Sequence, residues 1–206
     1  MTVSPSSALR ARWISAMLPH VPFDGWTQMA ADRAAEEAGL DAGEQALAAP
    51  NGLADLVDGF FEAAESVAAA ELTETALEGL GVREKVAFGV KAWLAALAPN
   101  REAARKASVR GFLPWAAGDA VQRTWSVADM IWTGIGDASE DYNKYSKRGL
   151  LAAVLPLIFL RWLDETDEAA LDDYIATRLT SAMKFGQAAA RVAGPVLEAL
   201  ERAKGR

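Results

Sequence analysis

Apolar residues recur along this chain at the spacing of helix faces, and glycine, proline and capping residues interrupt them at short intervals. No segment alternates apolar and polar positions over the length of a strand, so the pattern predicts no β-sheet. We predict an all-α fold of about ten helices. They are expected at about 7–18, 26–38, 41–49, 53–70, a short element ending at 79–81, 82–98, 100–112, 119–133, 137–163 and 167–186, with a tail helix starting at Gly194-Pro195.

The predicted helix 137–163 combines a polar start with an apolar body. Asp137 and Glu140 have the spacing of a capping box that opens a helix. Residues 150–160 are apolar on every side, so we expect this segment to be surrounded by protein or to line an apolar chamber. The predicted lining of the chamber is a set of large apolar and aromatic residues: Phe60, Phe61, Phe88, Trp93, Leu151, Val154, Leu155, Ile158, Phe159 and Trp162.

The composition narrows the possible classes of protein. The chain has 206 residues, 51% of them hydrophobic, but no apolar run reaches the roughly 18–20 residues that a membrane span needs. No secretory signal is visible at the N-terminus, so we expect a cytoplasmic protein. The chain has no cysteine and a single histidine, which excludes disulfides, thiolate sites and histidine-rich metal sites. We expect neither a metal nor a cofactor.

The first three predicted helices have the layout of a helix-turn-helix module, with a tight turn centred on Gly39. We therefore predict an N-terminal module over residues 1–50, an all-helical body over 51–186 and a short amphipathic tail over 187–206. A helix-turn-helix followed by a helical ligand-binding body is the arrangement of the TetR regulators, which the chain resembles in layout.

The N-terminal module is poorly suited to bind DNA. A recognition helix reads bases with Arg, Lys, Asn or Gln, but residues 42–49 offer one glutamine, one glutamate and small apolar residues. Between Arg33 and Arg83 there are eleven acidic residues and no lysine or arginine, and the net charge of the chain is −7. Phosphate contacts need cations, so we expect no nucleic-acid partner. A ligand-responsive transcriptional regulator remains the alternative function.

Four segments occur in an order that resembles a known family. They are Pro-His-Val-Pro-Phe-Asp-Gly-Trp at 19–26, Phe-Leu-Pro at 112–114, Ala-Asp-Met-Ile-Trp at 128–132, and Gly-Asp-x-Ser-x-Asp-Tyr-Asn-x-Tyr-Ser-Lys-Arg at 136–148. Together they resemble the Coq-nine family, the TetR-like accessory proteins of ubiquinone biosynthesis. The resemblance covers about residues 8–186.

The resemblance implies a non-enzymatic homodimer that holds an isoprenoid lipid or quinone intermediate. It also implies support for the di-iron hydroxylase acting on demethoxyubiquinone, a peripheral position at the inner membrane, and weak membrane contact through the tail. The family's partner-binding surface falls on Leu113, Pro114, Asp129, Met130 and Trp132. The chain departs from the family pattern at Trp115, where histidine is expected, and at Lys144, where an aromatic residue or histidine is usual.

Two further sets of residues are candidates for the site. Trp115 and Trp125 extend the partner-binding surface, and Trp125 lies seven residues before Trp132, on the same face of one helix. A second set is interpreted as a polar network that positions two elements, because no histidine or cofactor fingerprint joins its carboxylates for catalysis. The network comprises Asp137, Glu140, Asp141, Tyr142, Asn143, Tyr145, Lys147 and Arg148.

Overall fold

The computed structural model describes residues 4–111, 117–137 and 141–204, with the side chains of 110, 111, 117, 119, 120, 141–144 and 187–204 excepted. The described residues form α-helices and one 3₁₀ turn, without a strand, and the predicted all-α fold is confirmed. The helices are α1 Pro5–Met17, α2 Val21–Asp24, α3 Gln28–Glu37, α4 Ala42–Ala48, α5 Leu53–Glu71, α6 Glu74–Leu77, α7 Val82–Leu97, α8 Arg101–Gly111, α9 Ala117–Gly134, α10 Asp141–Asp164 and α11 Glu168–Lys204, with the 3₁₀ turn at Ala98–Asn100.

The chain divides into two compact units. Unit 1 contains residues 1–72 and 91–123, and unit 2 contains 73–90 and 124–206. In unit 1, α1 packs against α3, α4 and α5. Gly39, at φ +62°, ends α3, and the carboxylate of Asp41 accepts the Glu44 N–H at 2.8 Å to open α4. These local signals produce the predicted helix-turn-helix layout.

The segment 19–26 has a structural role in unit 1. Its short helix α2 packs on α8 and α3. The indole Nε1 of Trp26 donates to the carbonyl of Ala103 at 2.9 Å, and its ring lies 5.4 Å from that of Phe60. Trp26 is 3% exposed, so this part of the family motif anchors α2 in the core of unit 1.

In unit 2, α10 packs along α11. Ile131, Leu155, Ile158 and Ile175 are fully buried. Gly89 on α7 admits Ile131 of α9, because a Cβ at position 89 would lie 2.9 Å from the Ile131 side chain. Within the described ranges, no helix is both long and apolar enough to cross a membrane.

Helix α10 is described from Asp141, and the carboxylate of Asp137 pairs with its side chains. The predicted capping box of Asp137 and Glu140 depends on residues 138–140, which lie outside the described residues, so it stays a prediction. One predicted helix end differs from the structure. Helix α11 continues through Gly194-Pro195 to Lys204, where we predicted a new tail helix. Alanine and other strong helix formers on both sides of Pro195 favour the continuous helix.

Within a single chain, residues 150–160 are covered by protein on one face. The prediction that they are surrounded by protein or line an apolar chamber therefore stays a prediction for the other face. One face of α10 is buried, but Ala153 and Pro156 on the other face are exposed, as are Leu157 (45%) and Leu160 (36%). A helix that is hydrophobic on all sides is normally buried on all sides in the functional form of the protein. The pattern does not show whether the same chain, a second copy or a ligand covers the exposed face of α10.

Candidate functional site

The candidate site is a surface formed by the C-terminal half of α9 and the first turns of α10. Helix α9 buries Val127, Ala128 and Ile131. Its other faces carry Trp125, which is 37% exposed, Asp129, whose side chain is 49% exposed, and the half-buried Met130 and Trp132. The structure thus brings together the four described residues of the predicted partner-binding set, and we call them the α9 surface.

A buried arginine holds the α9 surface to α10. The side chain of Arg148 is only 4% exposed, and its Nε donates to Oδ1 of Asp129 at 2.5 Å. Its Nη1 reaches Oδ2 of Asp137 at 3.4 Å, and its Nη2 reaches Oγ1 of Thr133 at 3.5 Å. One guanidinium therefore connects two carboxylates and a hydroxyl around the end of α9, using the fixed fork of donors that arginine provides.

Lys147 completes this network. Its Nζ donates to Oδ1 of Asp137 at 2.8 Å and lies 5.2 Å from the centre of the Trp132 ring, in cation–π range. The Asp137 carboxylate is 8% exposed. It therefore lies between two cations, and desolvation of the acid is compensated by direct pairing.

The position of Asp137 follows from the way α9 ends. Gly136 has φ +77°, its N–H donates to the carbonyl of Thr133, and the N–H of Asp137 donates to the carbonyl of Trp132, each at 3.0 Å. These two bonds are the pattern of a Schellman motif, which favours glycine at its left-handed position. Gly136 thus turns the chain after α9, and Asp137 places its carboxylate beside the C-terminal end of that helix.

A stacked pair of aromatic rings lies at the edge of the site. The rings of Trp125 and Tyr145 are 6.3 Å apart with an interplanar angle of 23°. Tyr145 is 63% exposed, so the pair presents flat apolar area to solvent. Together with Trp132 and Met130 it gives the surface the aromatic and methionine side chains that are enriched in protein interfaces.

The polar network is therefore partly described. The structure joins Asp137, Lys147 and Arg148 and places Tyr145 on Trp125, whereas the side chains of Asp141, Tyr142 and Asn143 lie outside the described residues. Leu113, Pro114 and Trp115 of the partner-binding set lie outside them as well. Thr133, whose hydroxyl contacts Arg148, was not predicted as a site residue. Its position three residues before the 136–148 motif was the available signal.

The predicted chamber residues are placed as core residues in each unit. Phe60, Phe61 and Trp93 are buried in unit 1, where the rings of Phe60 and Phe61 meet edge to face at 5.2 Å. Unit 2 holds the rest: Leu151, Leu155, Ile158, Phe159 and Trp162 are buried, and Phe88 and Val154 are half-buried. Their role in lipid binding stays a prediction.

In fold class the protein is a TetR-like all-α protein. A solved TetR transcriptional regulator from Nitrosomonas europaea superposes with a TM-score of 0.67, covering 85% of this chain and 98% of that one, at 18% sequence identity. A likeness at this identity establishes the fold alone.

The predicted resemblance to the COQ9 family is confirmed. The COQ9 family model matches residues 117–186, which contain the whole described network of Asp129, Asp137, Lys147 and Arg148. The human ubiquinone biosynthesis protein COQ9, mitochondrial, is 27% identical over 193 residues, or 89% of this chain. The chain spans 60% of the length of that relative.

Proposed function

We propose that this protein is a non-enzymatic accessory protein of ubiquinone biosynthesis, which binds an isoprenoid lipid or quinone intermediate and docks the demethoxyubiquinone hydroxylase. The observation that carries the proposal is the position of the family match. The COQ9 model covers the α9 surface and the ion network behind it. The human relative is named for ubiquinone biosynthesis.

The α9 surface has the chemistry of a docking site. Tryptophan and methionine are enriched in interfaces between proteins, and ordered aromatic side chains provide most of the binding free energy of many complexes. Trp125, Met130 and Trp132 supply such groups, and Asp129 adds an acceptor that Arg148 holds in place. We place the hydroxylase on this surface.

The lipid would use the apolar interior that α10 contributes to. Burial of a CH₂ group provides about 0.8 kcal/mol, so one five-carbon isoprene unit contributes on the order of 3–4 kcal/mol. Several units offset the entropy lost when a flexible tail is ordered. The buried aromatic pair Phe159 and Trp162, with rings 5.7 Å apart, is the part of the predicted lining in unit 2 best suited to contact such a tail.

The exposed face of α10 supports a homodimer. Leu157 and Leu160 are large apolar residues left open in the single chain, and both belong to a helix whose composition is that of a fully covered one. A second copy of α10 and α11 would cover them. The protein would then act as a dimer in the cytoplasm, peripheral to the inner membrane.

The alternative is a ligand-responsive transcriptional regulator, which the helix-turn-helix layout and the TetR fold favour. In the position of the recognition helix, the amide of Gln45 donates to the carbonyl of Leu40 at 2.9 Å, and Glu44 is engaged in the cap with Asp41. The side chains left exposed on α4 are small or apolar, with Leu47 at 54%. We therefore expect no sequence-specific DNA binding.

The docking proposal is tested with the variant Trp132→Lys. We expect it to abolish co-purification of the hydroxylase, because it removes an aromatic anchor and places a cation beside Lys147. Phe23→Lys is the matched control, since Phe23 is 86% exposed and lies in unit 1. Circular dichroism of both variants checks the fold. Undiminished co-purification by folded Trp132→Lys would refute the docking site.

A further inference from the structure

An open groove lies in unit 2 between the start of α7 and α11, and it contains none of the residues of the α9 surface. Its volume is about 530 Å³, which is in the range of small-molecule sites. Helix α7 and the turn before it contribute Gly81, Val82, Arg83 and Glu84, and α11 contributes Thr180, Met183 and Lys184.

The groove carries two cations. In the described part of the chain, neither Arg83 nor Lys184 forms a contact of ion-pair length with a carboxylate, in contrast to Arg10, Arg123 and Arg148, for example. Two positive charges therefore face one concave surface of a protein with a net charge of −7.

The polar neighbours of Arg83 and Lys184 leave these charges available to a ligand. Glu84 also lines the groove, and its Oε2 accepts the N–H of Gly81 at 2.7 Å, which directs the carboxylate to the backbone. With the two cations and this one negative charge, the lining keeps a net charge of +1. The hydroxyl of Thr180 donates to the carbonyl of Ala176 at 2.8 Å and accepts Nη1 of Arg83 at 3.4 Å. Thr180 thus fixes one end of the guanidinium and leaves its other donors free to bind an anion.

The same groove has an apolar side. Val82 is 57% exposed and Met183 is 44% exposed, and both belong to the lining. Arginine guanidinium and lysine ammonium groups are the side chains that most often donate hydrogen bonds to phosphate in proteins. The neighbouring valine and methionine offer contact area that inorganic phosphate alone would not use.

We propose that this groove binds a phosphate monoester that carries an apolar group. The phosphate lies between Arg83 and Lys184, and the apolar group lies against Val82 and Met183. The ligand is either a soluble phosphate ester or the phosphate headgroup of a lipid, since both present the same chemistry.

Isothermal titration with hexyl phosphate tests the proposal. We expect the double variant Arg83→Gln/Lys184→Gln to bind at least about tenfold more weakly, because two charge-assisted contacts are lost. Lys85→Gln is the matched control, since it removes a cation from the same helix outside the groove, and it should bind as the parent does. Inorganic phosphate and hexanol should each bind more weakly than hexyl phosphate.

Failure of the parent protein to bind hexyl phosphate, or equal weakening by Lys85→Gln, would overturn the proposal. Vesicles of phosphatidylcholine with and without phosphatidic acid distinguish the two sources. Retention on phosphatidic acid that requires Arg83 and Lys184 identifies a lipid headgroup. Binding of hexyl phosphate without such retention identifies a soluble ester. Neither result depends on the hydroxylase, so the groove and the docking proposal are tested separately.

Discussion

The variant Arg148→Met tests the ion network most directly. It replaces a buried guanidinium by an apolar side chain of similar length and removes the contacts to Asp129, Asp137 and Thr133 together. Removal of one member of a buried ion pair costs about 3–5 kcal/mol, because the remaining charge is left without its partner. Asp137 keeps Lys147 at 2.8 Å and Asp129 is half-exposed. We therefore expect the lower end, about 3 kcal/mol.

The free energy of unfolding is measured by urea denaturation, followed in parallel by tryptophan fluorescence and circular dichroism. Arg33→Met is the matched control: Arg33 pairs with Asp24 at 3.2 Å, but its side chain is 50% exposed. Such exposed pairs contribute about 0–1 kcal/mol. A loss in Arg148→Met no larger than in Arg33→Met would refute the conclusion that the network stabilises unit 2.

Three further results are expected. Light scattering should show the proposed homodimer for the parent protein and a monomer for Leu157→Glu. Val67→Glu, at a position that is also exposed (55%) but in unit 1, should behave as the parent does. A dimer that survives Leu157→Glu would refute the proposed α10 interface. Gly136→Ala should lower the free energy of unfolding by about 1–2 kcal/mol, because its φ of +77° is strained for alanine; an unchanged denaturation midpoint would contradict this. Organic extraction of gently purified protein, followed by mass spectrometry, should release an isoprenoid or quinone, and an empty extract would argue against the chamber.

The parts of the fold set by local signals could be predicted from the sequence. Gly39 and Asp41 fix the turn between α3 and α4 through bonds that span at most a few residues. Such caps leave a direct trace in the sequence. Helix α2 was missed because a four-residue helix between prolines has little stability of its own and depends on packing against α8.

The sequence predicted which residues belong to the site, but not which of them contact one another. The motif at 136–148 indicated a polar network, but it did not show that Asp137 pairs with Lys147 and Arg148, ten and eleven residues further along the chain. A spacing rule within one helix does not detect contacts across a turn. The exposure of Leu157 and Leu160 in the single chain could not be predicted either, because a sequence shows that a residue is apolar but not which surface covers it.

The charges of the network balance, which is consistent with the proposed positioning role. Asp129 and Asp137 carry two negative charges and Lys147 and Arg148 carry two positive ones, and each of the four makes at least one direct ion pair.

A network that holds Asp129 and Trp132 in place before a partner arrives reduces the entropy lost on binding. The saving is about 0.5–1.5 kcal/mol for each ordered side chain, or on the order of 1–3 kcal/mol for two. Arg148→Met should therefore weaken the hydroxylase complex, although Arg148 is buried, and Arg33→Met should not. Parental affinity in folded Arg148→Met would show that the partner recognises the surface without this preorganisation.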